Sequence, residues 1–179
     1  SFGQYTLVRK LGEGGMGVVY EARHALLRRP TAIKLLRQQL GQDPEAAREA
    51  VQRFEREVQL TSQLSHPNTI AIYDYGQNAE GALYYAMEYI DGIDLDRLVR
   101  VDGPLSPAHV IHLAMQVCGS LAEAHARSLV HRDIKPSNLL VYERAGQPDT
   151  IKVLDFGLVK SLNGPIVSSA RVLVGTPLY

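Results

Sequence analysis

Cysteine is nearly absent from this sequence of 179 residues, where Cys118 stands alone. A lone thiol cannot close an internal disulfide, which suits a reducing compartment, and its place in an apolar helical pattern reads as a small buried hydrophobe. Net charge is absent too. Lys plus Arg and Asp plus Glu each number 19, so no overall field draws the chain to nucleic acid or to an anionic membrane. No apolar run approaches the roughly 18 residues of a membrane span, and the opening SFGQYTLVRK has no signal-peptide core, so a soluble piece is expected. The missing initiator Met and the ending GTPLY suggest a segment of a longer protein, whose anchor or sensor could lie elsewhere. What remains, 45% hydrophobic, is ordinary for a globular chain.

Alternating and β-branched runs at 5–11, 18–22 and 31–36 predict three strands, with glycines bunched in the first turn. Asp43 and Pro44 form a helix start, Asp as cap and Pro at the first helical position, and the pattern runs to about Leu64. Ala47, Ala50, Val51, Phe54 and Val58 make its apolar stripe, and Glu57 falls on the edge of that stripe, an odd place for a carboxylate unless a cation waits opposite. Runs at 69–75 and 83–89 complete five strands and one helix. Beyond Asp91-Gly92 the composition turns helical, with a short segment at 95–100 and a long one from Ser106-Pro107 to about Arg127. In the long helix His109, His112, Gln116, Ser120, Glu123 and Arg127 recur as a narrow polar stripe, of which His109 and His112 are read as solvated, and apolar residues fill most other sides, as in a helix buried on more than one face. Only two strand-like runs follow, 139–142 and 151–154, so packing partners for that helix are expected outside this sequence.

Four short segments carry chemistry. Gly12, Gly14 and Gly17 in GEGGMGVV let backbone N–H groups approach phosphate oxygens, and because Val18-Val19-Tyr20 continues as strand, a hairpin fits better than a dinucleotide loop that opens a helix. Lys34 in Ala32-Ile33-Lys34 is a lysine amid strand hydrophobes. A surface charge is the usual reading of any one lysine or glutamate, but Lys34 and Glu57 explain each other as a pair. HRDIKPSN at 131–138 and KVLDFG, with Asp155, gather two carboxylates, an amide and a lysine able to hold a divalent metal against phosphate and to receive a hydroxyl proton.

Together these segments resemble the protein kinase family, and Lys135-Pro136 resembles its serine/threonine branch. The wording LGEGGMGVVYEA and HPNTIAIYDYG looks most like the bacterial kinases of eukaryotic type. The resemblance implies an α+β, two-lobed fold: an N-lobe over 1–89 of a five-stranded antiparallel sheet plus one helix, and a partial, mainly helical C-lobe over 90–179, ending before the family's A-P-E motif. It implies that Asp133 takes the acceptor's proton, Lys135 neutralises the migrating phosphoryl, Lys34 contacts the nucleotide's phosphates and pairs with Glu57, and Asn138 with Asp155 binds Mg²⁺. Val19, Ala32 and Leu140 would sandwich adenine, with Met87 behind it and Glu88 to Ile90 as the hinge. His131 and Phe156 would pack under the metal loop. The implied ligands are ATP and Mg²⁺, the partners are proteins bearing Ser or Thr acceptors and a second copy of the chain for autophosphorylation, and the location is the cytoplasm. Arg132 resembles the arginine of kinases that need an activation-loop phosphate; of the candidate acceptors Ser161, Ser168, Ser169 and Thr176, Ser168 or Ser169 is preferred, since Thr176 looks more like the threonine beside the substrate. Thr61 stands where the family often has a larger apolar residue, and the segment 143–149 has no functional account. Phosphoryl transfer is expected of the full-length parent, and the alternative, a nucleotide- or partner-binding module without turnover, is expected of the isolated 179 residues.

Overall fold

The computed structural model describes residues 2–14, 17–37, 44–78 and 80–156. They fall into two compact units, the first comprising residues up to Ser62 together with Ala71–Tyr89, the second Gln63–Ile70 together with residues from Ile90 onward.

The first unit is a sheet with one helix. Strands β1 (Tyr5–Gly14), β2 (Gly17–His24), β3 (Pro30–Leu36), β4 (Ile72–Gln77) and β5 (Leu83–Glu88) run in the order β1-β2-β3-β5-β4, and every neighbouring pair is antiparallel. Period-2 alternation gives each strand two faces. One face buries Tyr5, Ala22, Ile33, Tyr84 and Ala86 as a core. On the other, Tyr85 stands opposite both Lys34 and Tyr75, and Phe54 of helix α1 (Pro44–Ser62) packs on this pair, 6.4 Å from the Tyr85 ring and edge-on at 6.2 Å to Tyr75. Helix α1 therefore covers the face that carries Lys34. Asp43, the expected cap, lies outside the described residues.

The strand-like run 69–75 divides between the two units. Ile72 onward joins β5, whereas Thr69 forms a parallel bridge to Val153, and Val153 donates its N–H to the Asn68 carbonyl at 2.7 Å. Both parts are extended and apolar, so alternation alone gives no sign of the change of partner at Ala71.

The second unit holds a short strand that composition did not signal, β6 (Gly92–Asp94), then helices α2 (Leu95–Asp102) and α3 (Pro107–Ala126), a 3-10 turn (Pro136–Asn138), and β7 (Leu139–Arg144) and β8 (Gln147–Val153). Its sheet order is β6-β7-β8. Both helices start on side-chain caps, Asp94 accepting from the Arg97 N–H at 2.9 Å and Ser106 from the His109 N–H at 3.3 Å, with Pro107 at the first turn. Segment 143–149 is the tip of the β7–β8 hairpin, whose two central residues Ala145 and Gly146 both have positive φ, at 50° and 79°, as the tightest two-residue turn requires. The core comprises Leu64, Leu113, Ala124, Leu139, Val141, Ile151, Val153 and Phe156.

Helix α3 departs from a solvated stripe. The polar residues face inward: Gln116 accepts from the Asn68 amide and the Ile151 N–H, both at 2.9 Å, and donates to the Asp149 carbonyl at 2.8 Å, while Ser120 and Thr69 share a buried hydroxyl contact at 2.7 Å. Glu123 accepts from the backbone N–H groups of Ser65 and His66 at 3.0 and 2.8 Å and from the Ser65 hydroxyl at 3.0 Å. Of the two histidines, only His112 is exposed as expected, and half-buried His109 lies 3.3 Å from the Asp149 carboxylate. Val110, Ile111 and Met115 are exposed instead, and so is Cys118, contrary to its reading as a buried hydrophobe. Polar side chains turn inward here because the backbone edge of 65–70 and β8 supplies a hydrogen-bond partner for each, which removes the penalty of burying them.

Candidate active site

In the first unit the ladder register sorts the nucleotide candidates. Gly14 stands opposite Gly17, Gly12 opposite Val19, Val19 opposite Lys34, and Ala32 opposite Met87. Directly opposed residues share a face, so Gly12, Gly14, Gly17, Val19, Ala32, Lys34 and Met87 lie on one side of the sheet. Lys34 is only 6% exposed and Met87 is buried beside it on the same face. Glu57, half-buried, comes one turn after Phe54, which already packs on Tyr85, the cross-strand neighbour of Lys34. The fold thus brings Glu57 to the lysine's side of the sheet. Gly17 is the glycine with the clearest steric need: its φ is +146° and a Cβ there would lie 2.1 Å from the Leu35 carbonyl oxygen. Glu88 does more than sequence indicated. Its N–H donates to the Ala71 carbonyl at 2.9 Å while its carboxylate accepts from the Ala71 N–H at 2.8 Å, fixing the end of β5 next to Tyr89.

In the second unit the loop 131–138 folds around a histidine. The Asp133 N–H donates to His131 Nδ1 at 3.2 Å, so that nitrogen bears no proton, and Nε2–H donates to the Leu154 carbonyl at 2.7 Å. Burial drives the imidazole pKa below its ordinary value, although the Leu154 carbonyl and the Asp155 and Asp133 carboxylates pull the other way, so the ring is neutral and structural. It lies 4.6 Å from the Phe156 ring, and the Leu154 N–H donates to the Asn138 carbonyl at 2.9 Å. One imidazole and one backbone bond therefore join segment 131–138 to segment 154–156. Within these two segments Arg132 at φ 64° and Asp155 at φ 54° adopt left-handed backbone, a conformation that costs L-residues energy.

Asp133 is 6% exposed and held from two sides: the Lys135 ammonium is 3.0 Å from its carboxylate, and the Asn138 amide donates to its backbone carbonyl at 2.8 Å and to its carboxylate at 3.3 Å. With both amide hydrogens directed at Asp133, Asn138 presents its Oδ1 as an acceptor. An amide oxygen and the Asp155 carboxylate are hard oxygen donors of the kind magnesium takes alongside phosphate oxygens. Among the described residues no three His, Cys, Asp or Glu side chains cluster as a self-sufficient metal cage, and a magnesium shared with phosphates needs none. Leu140 and Ile90 are both half-buried in the second unit, Leu140 on β7 opposite Asp94 and Lys152. The proposed phosphoacceptors Ser161, Ser168, Ser169 and Thr176 lie outside the described residues.

The family description "Protein kinase domain" matches residues 5–179. This chain belongs to the protein kinase family. It is 40% identical over 180 residues to serine/threonine-protein kinase pkn3 of Myxococcus xanthus, covering 98% of this chain and 32% of that protein. It is 38% identical over 178 residues to serine/threonine-protein kinase PrkC of Bacillus subtilis, covering 99% and 26%. The kinase chain spans about a third or less of the length of these relatives. The crystal structure of the Mycobacterium tuberculosis PknI kinase domain matches with a TM-score of 0.73 and 34% identity, over 88% of this chain and 61% of that one. The α+β architecture described above is the protein kinase fold, here with a partial C-lobe. No helix among the kinase's described residues is long and apolar enough to cross a membrane.

Proposed function

We propose that this chain is the catalytic part of a serine/threonine protein kinase that transfers the γ-phosphoryl group of ATP to Ser and Thr hydroxyls of proteins, its own included. The observation that carries the reading is the loop 133–138, where a buried carboxylate, an ammonium 3.0 Å from it and an amide bonded to it converge. Asp133 orients the acceptor hydroxyl and receives its proton. Lys135, already paired with that carboxylate, offsets negative charge on the phosphoryl oxygens as they leave the nucleotide. Asn138 and Asp155 are the residues that would hold Mg²⁺, which supplies charge neutralisation between the phosphates. Val19, Ala32, Met87 and Leu140 supply apolar surface for the adenine ring, the backbone of Glu88 to Ile90 its edge contacts, and Lys34, oriented by Glu57, grips the phosphates near Gly12, Gly14 and Gly17. The work of such a site is positioning and electrostatic stabilisation rather than covalent chemistry.

The location proposed with this chemistry is the cytoplasm, where ATP is abundant. A binding module without turnover is not favoured, since each position named above carries the residue that phosphoryl transfer uses and the relatives are named as kinases. Asp133→Asn, Lys34→Ala and Asp155→Asn should each lower phosphate incorporation by roughly 10² to 10³, about 3 to 4 kcal/mol of transition-state stabilisation. Radiolabel transfer from ATP to the protein and to a Ser/Thr-containing substrate measures it, and wild-type incorporation in any of the three variants would overturn the assignment.

A further inference from the structure

Glu13 lies among the hairpin glycines, and its carboxylate accepts hydrogen bonds from both the Lys10 ammonium and the Arg37 guanidinium. Lys10 belongs to the same strand, whereas Arg37 follows β3, with β2 intervening in the sheet order. The register explains the meeting. Glu13 stands opposite Val18 and Val18 opposite Leu35, while Lys10 stands opposite Tyr20 and Tyr20 opposite Ile33. All six share the face that carries Ile33, and Arg37, two residues past Leu35, continues it. Gly12, Gly14, Gly17 and Lys34 occupy the opposite face. The proposed phosphoryl transfer assigns no role to the three charged residues.

Among the described residues, Gly12 and Gly14 are held by the β1–β2 ladder, which pairs them with Val19 and Gly17. β1 is an edge strand, and a Cβ added at Gly12 or Gly14 would meet nothing within 4 Å, so no packing fixes the backbone there. Glycine also has the most conformational freedom to lose, and freedom left in the free protein must be lost when phosphate binds.

We propose that Glu13 is a positioning residue, a two-armed ionic staple on the back of the glycine hairpin that pre-orders its N–H groups to receive nucleotide phosphates. The idea rests on the kinase reading above. By linking the hairpin through Arg37 to the end of the strand that bears Lys34, the staple fixes one phosphate-contacting element relative to the other.

The test compares wild type with Glu13→Gln, Arg37→Gln and the double variant, and uses Asp96→Asn, which removes one carboxylate charge from the Asp96–Arg100 pair of α2, as control. Hydrogen exchange at the amides of residues 12–18 should quicken several-fold in the Glu13 and Arg37 variants. Calorimetric affinity for Mg-ATP should weaken by about fivefold, and the loss should appear in KM for ATP rather than in kcat. The double variant should lose no more than the worse single variant, because both remove one linkage. The control should move none of these. Unchanged exchange, or faster exchange with unchanged Mg-ATP affinity, would overturn the staple while leaving the kinase reading intact. A wild-type protein that neither binds nor turns over Mg-ATP would overturn both.

Discussion

Replacing Glu123 with Ala should loosen the second unit measurably. Three donors converge on this one carboxylate: the N–H groups of Ser65 and His66 at 3.0 and 2.8 Å and the Ser65 hydroxyl at 3.0 Å. Hydrogen bonds to a charged acceptor contribute about 1.5 to 3 kcal/mol each when sheltered. Ser65 is exposed, so its two donors recover water and count for well under 1 kcal/mol each, whereas half-buried His66 N–H loses its partner with less compensation. The expected loss is about 2 to 3 kcal/mol for Glu123→Ala and about 1 kcal/mol for Glu123→Gln, which keeps one acceptor oxygen. Urea denaturation followed by circular dichroism reads it as a lower midpoint at constant slope. There is also a pH signature. Burial raises the Glu123 carboxyl, but the Ser65 and His66 donors and the Arg127 guanidinium outweigh it, and the net shift is downward. A carboxyl depressed in the folded state contributes stability that is complete above its ordinary value of about 4.3 and lost as pH falls through the folded value. Glu123→Gln should therefore flatten the acid limb of the stability curve. A loss below about 0.5 kcal/mol for Glu123→Ala, or an acid limb unchanged in Glu123→Gln, would refute the claim that this carboxylate clamps 63–70 onto α3.

His131 should give a second pH dependence. Its pKa is lowered by burial, so the unfolded chain binds a proton that the native imidazole refuses, and stability should decline as pH falls below about 6.5, by at most about 1.4 kcal/mol per pH unit. His131→Phe should remove that slope whatever it does to stability at neutral pH, and persistence of the slope would exclude the ring as its source. Thr61, 1% exposed, has a buried hydroxyl with no hydrogen-bond partner among the described residues, so Thr61→Val should stabilise the protein by about 1 kcal/mol in the same denaturation assay, and a destabilised variant would show that the hydroxyl is used.

Much of the candidate site was legible because its determinants are local. Asp133, Lys135 and Asn138 lie within six residues of one another, so a single loop suffices to bring them together, as the Lys135 and Asn138 contacts to Asp133 show. The glycine hairpin and Lys34 follow from period-2 strands in simple antiparallel order. The Glu123 clamp and the bonds of Gln116 to Asn68 and Ile151 were not legible: each spans tens of residues, and a polar stripe on a helix looks the same whether it meets water or a row of backbone groups. The split of 69–75 escaped for a related reason, since an extended apolar run carries no mark of which edge it will join.

Spacing, glycine placement and capping act over a few residues, so every strand except β6, the helices and the candidate residues of the two site loops could be read from the sequence. Tertiary packing was needed to show that α3 turns Gln116 and Glu123 inward and leaves Met115 and Cys118 exposed, and that Glu13 is gripped by Lys10 and Arg37. The physical reason is that burial and pairing belong to the partner as much as to the residue. A polar side chain can be buried when distant backbone offers it donors and acceptors, and an apolar one stays exposed when no neighbour covers it.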